Sequence, residues 1–251
     1  MDVSNPSQES TTPRLALVGR GRLATALAAA LRAHGRSVGG PFGRDADGSG
    51  FSAVLLCVPD RQIAAAAAAI RPGPLLGHCS GATSLDVLAP HEAFSMHPLM
   101  TVTDAVPAQF EGAAAAVAGT SPRALAFARG LAGALGMKPF ELDDRDRVAY
   151  HAAAAVASNF LVTLEAAAER LAASAGVPRG ALVPLVRATV ENWTEVGAQR
   201  ALTGPVARGD EETVAAQRRA VAERAPELVE LFDSMVHATR ALAGSGELEV
   251  A

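Results

Sequence analysis

The sequence predicts a doubly wound α/β domain with a mostly parallel sheet, followed by an all-helical domain. Three observations lead there. The apolar run Leu15-Ala-Leu-Val18 passes straight into Gly19-Arg-Gly21, then into an Ala-rich stretch with Leu23, Leu27 and Leu31 at helical spacing. Continuous apolar runs, not alternating ones, recur between Pro- and Gly-rich turns up to residue 142, as strands covered on both faces do. From Asp144 to Ala175 there is neither proline nor glycine, and alanine, leucine and charged residues take over. The expected layout is a tail over 1–12, a sheet domain over 13–142 and a helical domain over 143–251.

Local signals set each element in turn. After the first strand and helix, Arg36–Phe42 reads as a second strand, weakened by its glycines and Pro41. Ser52–Val58 is a buried strand that Pro59 and Asp60 stop, with Asp60 placed to cap an Ala-rich helix over Arg61–Ile70. Pro72–Pro74 turns the chain into the strand Leu75–Cys79, which ends in Ser80-Gly81. A short amphipathic helix with Leu85, Val87 and Leu88 precedes the strand Ala93–Met96, which closes in His97-Pro98. Gly112–Ala118 is a further strand. Ser121 caps a helix with Pro122 at its first position, and Lys138–Leu142 ends the sheet. One long helix is expected over 144–175, stopped by Gly176; Pro178 starts another, running to about Gly197. Asp210 caps a third, with Glu211 and Glu212 suiting its dipole, and Pro226 opens a fourth that ends near Gly244.

Bulk properties exclude several classes. The chain has 251 residues, 49% hydrophobic and 19% charged, enough to bury a real core and too apolar for disorder. A formal net charge of -4 without any basic run argues against nucleic acid as a main partner. The longest apolar segment, 149–168, carries His151, Ser158, Asn159 and Glu165, which argues against a membrane span. Residues 1–12 lack the apolar core of a signal peptide, so a cytoplasmic protein is expected. The two cysteines, Cys57 and Cys79, read as reduced core thiols, and no histidine cluster has metal-ligand spacing.

The glycine turn carries the strongest chemical signal. Gly19 permits the tight turn, Gly21 lets a diphosphate approach the backbone, and Ala24 at the third glycine's place lets helix and strand pack closely. The free N–H groups at the helix start then face an anion, helped by the dipole and by Arg20 and Arg22; Leu23 completes the turn. A carboxylate about 20 residues further on would hold a ribose hydroxyl, whereas Pro41-Phe-Gly-Arg44 offers a base, which argues for NADP over NAD. Cys57, Val58 and Pro59 would flank the ribose, with Ser80 towards the nicotinamide and the substrate.

Histidines supply the proton chemistry. His151, Ser158 and Asn159 fall on one face of a regular helix, a polar stripe that a wet cleft would satisfy. His151 is the first candidate for proton donor, with Asn159 orienting a carbonyl and His97 as second choice. Each also has a plainer reading, His151 as a helix-start residue, Asn159 as an interhelical contact and His97 as a loop hydrogen-bonder. Thr203 and Arg208, between two helices, are candidates to hold a substrate anion. Asp143, Asp144 and Asp146 alternate with Arg145 and Arg147 as an ordinary solvated helix start does.

Taken together, Gly19-x-Gly-Arg-Leu-Ala24, Val58-Pro-Asp60, His78-Cys-Ser-Gly81, Ser95-Met-His-Pro-Leu99, His151 with Ser158-Asn159, and Thr203-Gly-Pro-x-x-Arg-Gly-Asp210 resemble one family. It is the Rossmann-like proteins with a C-terminal domain of unknown function 2520. That group is similar in layout to ketopantoate reductase, pyrroline-5-carboxylate reductase and the 6-phosphogluconate dehydrogenase-like proteins. The resemblance implies an NADP-dependent oxidoreductase, often a homodimer through the helical domain, and no particular substrate; a small carbonyl or imine acid, for example a 2-keto acid such as ketopantoate, is the substrate class expected from the wider group. Relatives use a lysine near the start of the interdomain helix, where this chain has His151. The alternative is a non-catalytic NADP-binding sensor or partner protein, which would keep the glycine turn and have no use for the polar stripe.

Overall fold

The computed structural model describes residues 14–43, 45–104 and 107–244. Its contacts divide the chain into two compact units, residues 1–158 and 159–251.

The first unit is built on a seven-stranded sheet of order β2-β1-β3-β4-β5-β6-β7. The strands are β1 (Leu15–Val18), β2 (Val38–Phe42), β3 (Ala53–Leu56), β4 (Leu75–His78), β5 (Ala93–Leu99), β6 (Ala114–Gly119) and β7 (Lys138–Glu141). Pairing is parallel from β2 through β5 and again between β6 and β7, while β5 and β6 run antiparallel. Side chains alternate between two covered faces. Leu15, Leu17, Leu55, Phe94 and Met96 pack on one side with Leu27 and Leu31 of helix α1 (Arg22–Ala33) and with helix α3 (Pro122–Gly133). Ala16, Val18, Val54, Leu56 and Leu76 pack on the other, with Ile63, Ala66 and Ala67 of helix α2 (Ile63–Ala69) and with Leu85 and Leu88. Two apolar layers are why these strands read as unbroken apolar runs. Gly77 on β4 makes room for Phe94: a Cβ there would collide with Cζ of the Phe94 ring, which in turn meets Phe127 edge-on at 4.9 Å between centroids.

Several expected elements differ in detail. Asp60 lies inside a 3-10 turn, Asp60–Gln62, and makes no cap. Its carboxylate instead accepts from Ser80 Oγ at 2.8 Å. The Leu85–Leu88 segment is a single 3-10 turn capped by Ser84. β5 continues past Met96 through His97 and Pro98 to Leu99, because the antiparallel β6 extends the ladder. Ser121 caps α3 as its sequence implies, accepting from Ala124 N–H.

The expected long helix is interrupted. A 3-10 turn over Asp144–Asp146 leads into α4 (Arg147–Ala155), a π-turn follows over Val156–Phe160, and α5 (Leu161–Ser174) resumes. The π-turn breaks the 3.6-residue period between Ala155 and Leu161, so the spacing that set His151, Ser158 and Asn159 on one stripe does not hold as for a regular helix.

In the second unit, α6 (Arg179–Ala201) is kinked at Gly197, where φ is 77°. Asp210 caps α7 (Glu211–Arg224) through Thr213 N–H, and a 3-10 turn at Pro226–Leu228 opens α8 (Val229–Gly244). Its buried apolar residues, among those described, are Val214, Val221 and Ala225. No helix among the described residues is long and apolar enough to cross a membrane.

Candidate functional site

The first part of the site is the glycine turn at the carboxyl end of β1. Gly19 has φ 123°, and a Cβ there would collide with the Cys57 carbonyl, so no side chain fits. Gly19 N–H donates to Phe42 O and Cys57 N–H to Val18 O, which ties the ends of β1, β2 and β3 together. Gly21 caps α1 without any side-chain hydrogen bond, so among the described residues no side chain caps the first N–H groups of the helix, which an external acceptor could then meet. A Cβ at Gly21 would meet nothing within 4 Å. The turn borders a cavity of about 700 Å³ lined by Gly19, Arg20, Gly21, Phe42, Gly43, Asp45, Cys57, Val58, Pro59 and Gln62. The Arg20 guanidinium lies over Gly43, about 3.5 Å from where a Cβ would stand. Cys57 Sγ is 3.7 Å from Cys79 Sγ; that contact, then burial, raises the Cys79 thiol pKa, so this thiol stays protonated near neutrality.

The second part gathers at the end of β4. Gly81 is covered by two imidazoles: a Cβ there would stand 2.9 Å from His151 Cδ2 and 3.0 Å from His97 Cε1. His97 Nδ1 is 2.7 Å from Tyr150 Oη, and the two rings meet edge to face. Burial, with the nearby His151 and Arg147 charges, pulls His97 down to about 4, against the opposing pull of Asp60. Burial pushes Tyr150 up to about 12, and Arg147 works against that shift.

Beneath them lies a buried polar network. Arg147 is 1% exposed. It pairs with Asp144 and donates through Nη2 to Ser95 Oγ at 2.7 Å. Asp144 also accepts from Ser84 Oγ at 2.6 Å and Leu85 N–H at 3.1 Å. Partial desolvation pushes the Asp144 carboxyl up, but the Ser84 hydroxyl and Arg147 outweigh it and its pKa is lowered. The expectation of a solvated helix start therefore fails at Arg147, which is buried against Ser95 of β5, while Asp144 stays partly exposed as it pairs with Arg147 and the Ser84 turn. His78 is fully buried; its Nδ1 accepts from Ser80 N–H, so Nε2 carries the proton and makes no close hydrogen bond among the described residues. Burial first, then Arg147, lowers His78 to about 4.

A family model described as a domain of unknown function (DUF2520) matches residues 113–239, just over half of the chain. The chain belongs to the DUF2520 family. No curated protein sequence matches it. Among solved structures, a Bacteroides fragilis protein provisionally named an NADP oxidoreductase is 21% identical with a TM-score of 0.79, over 91% of this chain and 98% of its own. A reductive aminase from Aspergillus terreus, in complex with NADPH and ethyl levulinate, is 17% identical with a TM-score of 0.66, over 93% and 98%. A 1-pyrroline-5-carboxylate reductase from Streptococcus pyogenes is 15% identical with a TM-score of 0.61, over 94% and 100%. At these identities the likeness is one of fold, a Rossmann sheet followed by helices.

In this DUF2520 protein the structure brings Gly19, Arg20, Gly21, Cys57, Val58 and Pro59 to one cavity. Arg22 and Leu23 open α1, and Ala24 is fully buried against the sheet. Arg44 lies outside the described residues. Ser80 is 7% exposed, and its hydroxyl is engaged by Asp60 and Thr83, each at 2.8 Å. Ser158 lies in the π-turn, and Asn159, Thr203 and Arg208 belong to the second unit. Among the described residues no group of three or more His, Cys, Asp or Glu could hold a metal ion. Sequence reasoning missed Tyr150, Arg147 and Ser95. Tyr150 is the one tyrosine of the chain and sits beside His151, a signal that was there to use.

Proposed function

We propose that this chain is an NADP-dependent oxidoreductase acting on a small carbonyl or imine acid, with 2-keto acids as the first substrate class. The cavity at the glycine turn is the observation that carries this reading. Its walls fit a dinucleotide: a turn where no side chain is tolerated at Gly19, open space at Gly21, and an uncapped helix N-terminus. Gly19 to Ala24 would hold the diphosphate, while Cys57, Val58 and Pro59 would border the ribose. Arg20, poised over Gly43 at the end of β2, would meet the 2′-phosphate beside Arg44. Bound there, the nicotinamide supplies a hydride. The chain's own residues then exclude water and manage the proton, through His97 and His151 at Gly81. The substrate roles of Ser80, Ser158, Asn159, Thr203 and Arg208 carry over from the sequence.

The same reading includes a homodimer through the helical unit. Its helices present Val162 (68% exposed), Leu185 (65%) and Trp193 (57%) to solvent, and a second copy would cover them. Sedimentation should give twice the chain mass, and Trp193→Asp should return it to one.

A screen of NADPH oxidation against 2-keto acids and cyclic imines, with NADH alongside, tests the activity. Turnover of at least one class with a preference for NADPH is expected. Folded protein that binds NADPH yet oxidises it with neither class contradicts the reading.

A further inference from the structure

Two polar rungs join β5 to α4. In one, Arg147 Nη2 donates to Ser95 Oγ at 2.7 Å; in the other, Tyr150 Oη meets His97 Nδ1 at 2.7 Å. Ser95 and His97 are two apart on a strand, and Arg147 and Tyr150 three apart on a helix, so each pair shares a face. The rungs therefore fix one another's register. Nδ1 of His97 is committed to Tyr150, while its Nε2 makes no hydrogen bond among the described residues. The Cε1–Nδ1 edge of the imidazole lies against Gly81, at the carboxyl end of the sheet where ligands of this fold class bind.

We propose that Tyr150 is the proton source of this site and that His97 passes the proton on. The inference rests on the oxidoreductase reading and sharpens it. The Nε2–H bond of His97 breaks as that proton moves to a substrate oxygen or nitrogen. At the same time Nδ1 takes the proton of Tyr150 Oη, leaving a neutral Nδ1–H imidazole and a tyrosinate; the starting state returns when solvent protonates Nε2 and the Nδ1 proton passes back to Tyr150 Oη. The imidazole never has to hold a positive charge, which its burial and the neighbouring His151 and Arg147 oppose, with only Asp60 in favour. Burial opposes the tyrosinate, and Arg147 is the fixed cation that offsets part of that opposition, while the Phe140 ring packs edge-on against Tyr150 and carries no charge. Arg147 thus acts as a positioning residue for the pair.

The relay requires the Nε2–H tautomer of His97. Nitrogen-15 NMR of the full-length protein, labelled at histidine and held near neutral pH, should show His97 Nδ1 in the unprotonated range. Tyr150→Phe should release that preference without altering NADPH affinity. Nδ1–H in the wild type overturns the proposal, since Tyr150 would then accept and not donate. The second arm uses pyruvate and 1-pyrroline-5-carboxylate as probes. Tyr150→Phe and His97→Gln should each lower kcat about 10²–10⁴-fold at unchanged NADPH affinity. Tyr150→Phe with wild-type kcat on either probe overturns the relay. Wild-type protein that binds NADPH and turns over neither probe contradicts the activity reading for these classes, and the tautomer still decides the Tyr150–His97 assignment.

Discussion

In the sheet unit Leu17, Leu27, Leu31, Leu55 and Phe94 are fully buried, whereas in the helical unit Val162, Leu185 and Trp193 stand more than half exposed. Both units are rich in alanine and apolar side chains, so composition does not separate them. Layering does. A sheet offers two broad faces, and α1, α2 and α3 cover both from the same unit. The helices of the second unit leave their apolar sides without comparable cover, and a second copy of the chain would supply it. The first unit therefore holds its own geometry, and it is the one that carries the glycine turn and the Gly81 cluster.

Substitutions in the two units should separate sharply on this account. Phe94→Ala empties a site packed by Gly77 and Phe127 and should cost about 3–5 kcal/mol by urea unfolding. Trp193→Ala should leave unfolding of the isolated chain nearly unchanged and act on the proposed dimer alone. An equal loss from both would break the contrast. Arg147→Met comes next. It leaves Ser95 and Asp144 without their partner, for about 3 kcal/mol, at the low end for a broken buried pair because the Asp144 side chain is 38% exposed.

Acidification should sharpen the same contrast. His78 and His97 titrate near 4 when folded and near 6.5 when unfolded, so between those values the unfolded chain binds more protons. Stability is whole above pH 6.5 and falls as pH drops towards 4, by roughly 1 kcal/mol per pH unit for each histidine. Removing both histidines should flatten that slope; an unchanged slope would locate the acid sensitivity elsewhere. The smallest effect belongs to the helical unit. Arg218→Ala removes a two-pronged bond to Asp233 between half-exposed side chains, and thermal unfolding should not register it.

What the sequence disclosed follows the range of the forces involved. β1, the glycine turn and α1 were legible because strand, turn and helix signals lie within 20 contiguous residues. The caps at Ser121 and Asp210 were legible for the same reason. Arg147 was not, because its burial depends on Ser95, 52 residues away, and nothing local separates it from Arg145. Asp60 has a cap's sequence position, but a 3-10 turn sends its carboxylate to Ser80. The extension of β5 through His97 came from pairing with β6, a long-range fact that residues 93–99 do not encode. The π-turn at Val156–Phe160 contains neither proline nor glycine, the residues that ordinarily announce a break.

Calorimetric titration of NADPH into wild-type protein and Gly21→Glu tests the central claim most directly. Position 21 has open space and an ordinary φ, so the variant should fold with unchanged Tm, while its carboxylate occupies the place of the diphosphate. Saturable binding by the wild type and a loss of at least about 100-fold in the variant, roughly 3 kcal/mol, is the expected result. Absence of binding by folded wild-type protein, or equal binding by both, would contradict the assignment of the glycine turn as the nucleotide cradle.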